Sequence, residues 1–141
     1  MEYFEGCAHV TREAYTNFIR ESFMRNTQLF SKGFLPHAFH LTSDAFFDAW
    51  HEKRMLTDVF HAPVTLGGPL AFVYVDGDHS YEQASRDVEH ALKHLVPGGF
   101  LLLDDSADFW KYGSVRLARE LKRRKGLELV MKNPNYLFVK R

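Results

Sequence analysis

An α/β fold is predicted by three observations. Two apolar runs without polar alternation, Ala71–Val75 and Phe100–Leu103, each end in carboxylates, Asp76 and Asp78 after the first, Asp104 and Asp105 after the second. Between them lies a stretch with helical spacing that stops at Pro97-Gly98-Gly99. Leu127–Met131 and Tyr136–Val139, joined by Asn133-Pro134-Asn135, read as a closing antiparallel hairpin. Continuous apolar strands suit a parallel sheet covered on both faces. The middle of the chain is therefore a β-α-β unit, and in open α/β sheets ligands bind outside the carboxyl ends of such strands.

The length of 141 residues gives one domain with room for a sizeable core. Eighteen basic and 18 acidic residues cancel, so no global field draws the chain to nucleic acid or a membrane surface. Cys7 is the single cysteine, which excludes an internal disulfide and fits a reducing compartment. No apolar run approaches the roughly 20 residues of a membrane span. With no basic-then-apolar leader, the expected location is cytoplasmic.

In chain order, Thr11 caps a first helix, with Val10 and Tyr15 as a hydrophobic staple. Tyr15, Phe18, Ile19 and Phe23 form one face of it, and Gly33 and Pro36 mark its end. His37–Leu41 reads as a short strand. Ser43 caps a second helix that turns Phe46, Phe47 and Trp50 inward. Arg54–Pro69 is irregular and longer than the usual connection in α/β units. Ser80 and Gln83 form a capping box for the next helix, whose buried stripe is Ala84, Val88, Ala91, Leu92 and Leu95. Ser114 caps a last helix, and its basic tail, Lys122–Lys125, matches the dipole at a helix C-terminus.

The chemistry concentrates at the strand ends. Asp76, Asp104 and Asp105 on one sheet edge would repel, so they need a cation, a proton or a basic partner. Hard oxygen ligands suit Mg²⁺ or a similar ion. The plainer reading makes Asp78 and Asp105 turn or cap residues. His79 beside them is a candidate base, since an imidazole titrates near neutrality. His90 and His94 have i, i+4 spacing that a polar helix face shows by chance. His37 and His40 receive no role, and Cys7 reads as a small packed side chain. No glycine-rich phosphate loop is present: Gly67-Gly68-Pro69 and Gly98-Gly99 are too short for one.

These stretches carry a resemblance. Leu66–Pro69, Val75–Glu82 (VDGDHSYE), Pro97–Ser106 (PGGFLLLDDS) and Lys132–Tyr136 (KNPNY) together resemble class I S-adenosylmethionine-dependent methyltransferases of the DGDH type. The resemblance implies a Rossmann-like three-layer sandwich with strand order 3-2-1-4-5-7-6. His37–Leu41 would be its third strand, Leu70–Val75 its fourth, Phe100–Leu103 its fifth, and the hairpin its sixth and seventh. It also implies S-adenosylmethionine as cofactor, with Ser43 and Asp44 near the adenine. Glu2, with Glu5 as substitute, would hold the ribose, and Asp76 and His79 would lie beside the cofactor. By likeness to catechol-type O-methyltransferases, Asp76, Asp104 and Asp105 would hold Mg²⁺, and His79 and Asp76 would be catalytic on a small-molecule hydroxyl.

The first strand, its glycine-rich turn and the following helix have no counterpart. The expectation is therefore an incomplete domain over residues 1–141, an N-terminally truncated gene product or one completed by another chain. Weak cofactor binding and an open edge on the fourth strand follow from that. Two rivals stand beside methyl transfer. One is a metal-dependent nucleotide-sugar transferase, because Asp76-x-Asp78 after a strand can hold a metal–diphosphate. The other is a non-catalytic remnant that binds a partner chain, or a second copy, through the open edge.

Overall fold

A computed structural model describes residues 9–141, so Glu2, Glu5 and Cys7 lie outside the described residues. In chain order the elements are α1 (Arg12–Phe30), α2 (Ser43–His51), β1 (Met55–Thr57), β2 (Pro63–Thr65), β3 (Leu70–Val75), α3 (Tyr81–His94), β4 (Leu95–Leu103), α4 (Gly113–Leu121), β5 (Leu127–Lys132) and β6 (Tyr136–Lys140). They divide into two units. One is the described part of Met1–His40 together with Met55–Thr65, and the other is Leu41–Arg54 with Leu66–Arg141.

The second unit holds the sheet. Its four strands run in the order β3-β4-β6-β5, with β3 and β4 parallel and the remaining pairs antiparallel. That order matches the 4-5-7-6 half of the expected scheme. The helices α3 and α4 both pack on one sheet face. Val75, Leu101, Leu103 and Phe138 meet Val88, Ala91, Leu117 and Ala118 there in a single buried cluster. The opposite face keeps Phe72 54% and Tyr74 48% exposed. The expectation of a central strand covered on both faces is therefore corrected. Among the described residues β3 is an edge strand, and the unit has one helical layer on its sheet where a three-layer sandwich has two. An apolar run records side chains suited to burial, and among the described residues β3 has a strand neighbour on one side only.

Local signals set the ends of the helices. Ser80 Oγ accepts the Gln83 N–H at 3.3 Å, which is half of the expected capping box. The other half is missing because the Ser80 N–H donates to Asp78 and the Gln83 oxygen accepts from Arg86. At the far end of α3, Lys140 Nζ donates to the carbonyls of Leu92 and Leu95, both at 2.7 Å, and satisfies groups that a helix end leaves open. Thr42, not Ser43, caps α2 through the Ala45 N–H. Ser114 does not cap α4: the N-cap is Tyr112, and Ser114 Oγ donates to the Asp105 carbonyl at 2.7 Å. The hairpin of β5 and β6 forms as expected. Pro97-Gly98-Gly99, expected as a break, is absorbed into β4 at the cost of a register shift against β3.

The first unit is built differently. Thr11 caps α1 as expected, accepting the Ala14 N–H at 3.1 Å. Tyr15, Ile19 and Phe23 then line a cleft of about 390 Å³ with Ala38, Phe39 and Val59, while Phe18 points away and is 61% exposed. His37–Leu41 forms no strand. The Ala38 carbonyl accepts the Val59 N–H at 2.9 Å, and no ladder of such bonds develops. The stretch expected to be irregular contains the short antiparallel pair β1 and β2. Its turn is organised by Asp58, only 5% exposed. That carboxylate accepts the Phe60 and Ala62 N–H groups and pairs with His37 Nδ1, each at 2.9 Å. His37, given no role from the sequence, is thus a structural partner.

Candidate functional site

The parallel pairing of β3 with β4 sets Val75 opposite Leu103, so Asp76 and the Asp104-Asp105 pair leave the sheet side by side. The Asp104 N–H donates to the Val75 carbonyl at 2.9 Å and ties the two strand ends together. Asp76 and Asp104 then share a hydrogen bond between their carboxyl groups. Burial, followed by that bond to Asp104, pushes the Asp76 carboxyl above its ordinary value. Asp104 moves the other way: burial opposes the shift, but hydrogen bonds from Asp76 and Tyr74 outweigh it and hold the carboxyl below its ordinary value. Two carboxyl groups this close disfavour each other's ionisation, and Asp76 carries the larger share of that cost. Asn135 Nδ2 also donates to Asp104. The Tyr74 hydroxyl is pushed up to about 12, by burial and then by its bond to Asp104, so it acts as a donor.

Asp105 turns away from this pair. It adopts a positive φ of 43°, which points its carboxylate to His79 Nδ1 at 3.2 Å. His79 Nε2 lies 4.0 Å from Asp76 Oδ1. The imidazole is therefore oriented by one carboxylate and faces a second. The Tyr112 ring, 5.1 Å away between centroids, covers its side. The segment carrying Tyr112 is clamped here. The Ser114 N–H donates to the His79 carbonyl at 3.2 Å, and a Cβ on Gly113 would overlap the Tyr81 backbone. Asp78, read as a turn residue, accepts the Ser80 N–H at 2.6 Å, and this holds its carboxyl below the ordinary value.

Ser43 and Asp44 line a cleft of about 780 Å³ with β3, Asp76, Gly77, Asp78, Gln83 and Asp87. The structure thus brings the Ser43, Asp44 and Asp76 positions to one cavity, while His79 stands at the strand ends beside Asp76. Two of the groups are engaged within the chain. Ser43 Oγ donates to Asp87 at 2.6 Å, and Asp44 meets His90 Nε2 at 3.0 Å. His90 and His94 stack on Phe47 and do not form a pair aimed at a metal. Asp87 and Gln83 were missed in the sequence because they sit inside a helix whose pattern already explained them.

The lining is acidic and carries hydroxyl, amide and aromatic groups, which fits an adenosyl group and a sulfonium cation. Among the described residues the lining includes no Lys, Arg or His to meet a carboxylate at the methionine end of that cofactor. For Mg²⁺ the donor set does not fit. Among the described residues no three or more His, Cys, Asp or Glu side chains are grouped to hold a metal ion. Asp104 accepts from Asn135, and Asp105 faces His79 Nδ1 at 3.2 Å. No helix among the described residues is long and apolar enough to cross a membrane.

A family model described as a methyltransferase domain matches residues 4–106, a span that holds the cleft, His79 and all three strand-end carboxylates. No curated protein matches, and no solved structure matches.

Proposed function

From the premise that the chain belongs to the methyltransferase-domain family, we propose that it serves methyl transfer to a hydroxyl oxygen of a small molecule. Family membership implies S-adenosylmethionine as the donor, which supplies an electrophilic methyl group when bound. The observation that carries the oxygen acceptor is the Asp105–His79–Asp76 arrangement. A hydroxyl becomes a competent nucleophile as it loses its proton, and a base with a third group to orient it is the recurring means of taking that proton. His79 Nδ1 lies 3.2 Å from Asp105, and Nε2 is the ring nitrogen turned toward Asp76 at the mouth of the strand ends, where it would accept a proton. Asp76 sits where it can hold the hydroxyl or take the proton onward. Ser43 and Asp44 would hold the nucleoside end, and Tyr112 covers the imidazole against water. No step runs through a metal.

The described residues provide the acidic half of such a site, and weak cofactor binding follows from the missing cation. Amide NMR shifts during titration with S-adenosylmethionine, and separately with adenosine, test the reading. Both should perturb Ser43, Asp44 and Gly77 at millimolar concentration with similar affinity, and Mg²⁺ should not change the result. Absence of shifts at these amides, or shifts confined to α1, would overturn the assignment.

A further inference from the structure

A row of rings runs outward from His79. His79 meets Tyr112, Tyr112 meets Trp110 and Trp110 meets Phe109, with centroids 5.1, 5.4 and 5.1 Å apart in that order. None of Phe109, Trp110 and Tyr112 lines the 780 Å³ cleft. The cleft ends at Asp76, and the row starts at His79 beside it. The three rings belong to the connection between β4 and α4, and core packing does not account for them. Phe109 is 69%, Trp110 42% and Tyr112 43% exposed. A loose loop leaves rings in water by default, but this one is pinned along its length. Ser106 Oγ, fully buried, donates to the Leu103 carbonyl at 2.6 Å and accepts the Tyr136 N–H at 2.8 Å. Asp108 accepts from the Tyr136 hydroxyl at 2.9 Å and pairs with Lys132. The Trp110 N–H donates to the Ala107 carbonyl at 3.0 Å, and Ser114 Oγ ties the far end of the loop to the Asp105 carbonyl. A contiguous apolar patch fixed beside reactive groups marks a ligand surface.

The character of the patch selects the ligand. A flat aromatic acceptor gains most when both of its faces leave water, as in an enclosed apolar slot. Here the rings are open to water. A sugar ring suits an open row. Its C–H groups, polarised by the neighbouring oxygens, are drawn to the negative face of an aromatic ring, while its hydroxyls stay in water or reach charged side chains. The same loop carries Asp108 and Lys111, both exposed. An aliphatic hydroxyl is also far less acidic than a phenol, so it is the acceptor that most needs a base, and His79 beside Asp105 supplies one. We propose that the Phe109–Trp110–Tyr112 row binds the C–H face of a sugar ring and turns one of its hydroxyls to His79. On transfer that hydroxyl oxygen gains the methyl group, its proton passes to His79 Nε2, and the carbon–sulfur electron pair stays on sulfur as the sulfonium becomes a thioether. The acceptor role rests on the methyl-transfer reading, whereas the sugar site rests on the rings.

Methyl glycosides of glucose, galactose, mannose and rhamnose, titrated into the full chain without cofactor, serve as probes. Binding is read from the Trp110 indole N–H resonance, told apart from that of Trp50 by Trp50→Phe, and from saturation transfer to the sugar. At least one glycoside should move the Trp110 signal saturably in the millimolar range, with transfer strongest to the C–H protons of one sugar face. Trp110→Ala should weaken that binding about fivefold, the worth of one stacked ring, and Trp110→Tyr should keep most of it. No glycoside binding, or binding that Trp110→Ala and Phe109→Ala both leave unchanged, overturns the proposal. Catechol moving the Trp110 signal where the glycosides do not would give the row to an aromatic acceptor, and broadening by phosphatidylglycerol vesicles alone would give it to a membrane; either result overturns it. So does a Trp110 indole shielded from a soluble paramagnetic agent in the ligand-free chain, because residues of the chain itself then cover the row. The adenosine titration judges the methyl-transfer reading separately. Glycoside binding without adenosine shifts at Ser43 and Asp44 upholds the sugar site and overturns that reading alone, and adenosine shifts without glycoside binding do the reverse.

Discussion

The two units are held by opposite means. The sheet unit is organised round an apolar cluster in which Val88, Leu101 and Phe138 are fully buried. In the unit that contains α1, Asp58 is the one residue in the buried class among those described. A helix of 19 residues runs through that unit without burying a side chain, whereas the 14 residues of α3 bury five. Apolar burial is additive and insensitive to pH, while a buried carboxylate is useful only when charged and fully bonded. One unit is therefore stabilised by many interchangeable contacts and the other by a few specific ones.

The largest effect expected from this contrast comes from truncating one apolar side chain in each unit. Leu101→Ala removes a fully buried side chain between α3 and the sheet and should cost about 3 kcal/mol in urea unfolding. Phe18→Ala removes a larger side chain from an exposed position on α1 and should cost no more than about 0.5 kcal/mol. Comparable losses from the two would mean that α1 is buried in solution, and the contrast would fail.

The same contrast explains which parts were legible in the sequence. The α3 stripe and the hairpin were readable because local period and packing agree there. The first helix was readable as a helix, through Thr11 and its spacing, but its apolar face did not foretell burial. Likewise the continuous run in β3 resembled a central strand, because a sequence pattern records the faces to be covered and not whether a neighbour is present. In the site, the carboxylates and His79 were visible as strand-end residues. The division of labour among them was not. It depends on the positive φ of Asp105 and on Asn135 reaching Asp104 from 31 residues downstream. Asp58 gave no signal at all, since its three partners come from two separate stretches.

A smaller effect, confined to one loop, follows from Asp58. The His37 hydrogen bond and then the Ala62 and Phe60 N–H groups hold its carboxyl below the ordinary value, against the opposing influence of burial. A depressed carboxyl contributes stability that is complete above the unfolded-state value, about 4, and is lost as pH falls through the folded one. Amide exchange at Phe60 and Ala62 should therefore accelerate in acid beyond the intrinsic trend, while Leu101 keeps its protection. Asp58→Asn should produce the same loosening at neutral pH, because an amide has only one oxygen for three donors. Simultaneous opening of both sets of amides would show a single cooperative structure and break the contrast.

The smallest effect should have the opposite sign. Asp76 in the sheet unit is also an aspartate in a hydrogen-bonded cluster, but its carboxyl is raised, by burial first and by Asp104 next. A raised carboxyl means that the fold prefers the protonated form, so the ionised group at neutral pH is a liability to stability. Asp76→Asn replaces a repelled charge with an amide that can donate to Asp104. Solvent screens the half-exposed pair, which limits the gain to about 0.5 kcal/mol. Thermal unfolding should move up slightly, while any methyl transfer falls, because the proposed partner of His79 no longer accepts a proton. Loss of stability would mean that Asp76 has a fixed positive partner and that Asp104 does not repel it. Two Asp→Asn substitutions in one chain, one loosening its unit and the other tightening its own, would then separate a carboxylate that holds structure from one kept under strain at a site.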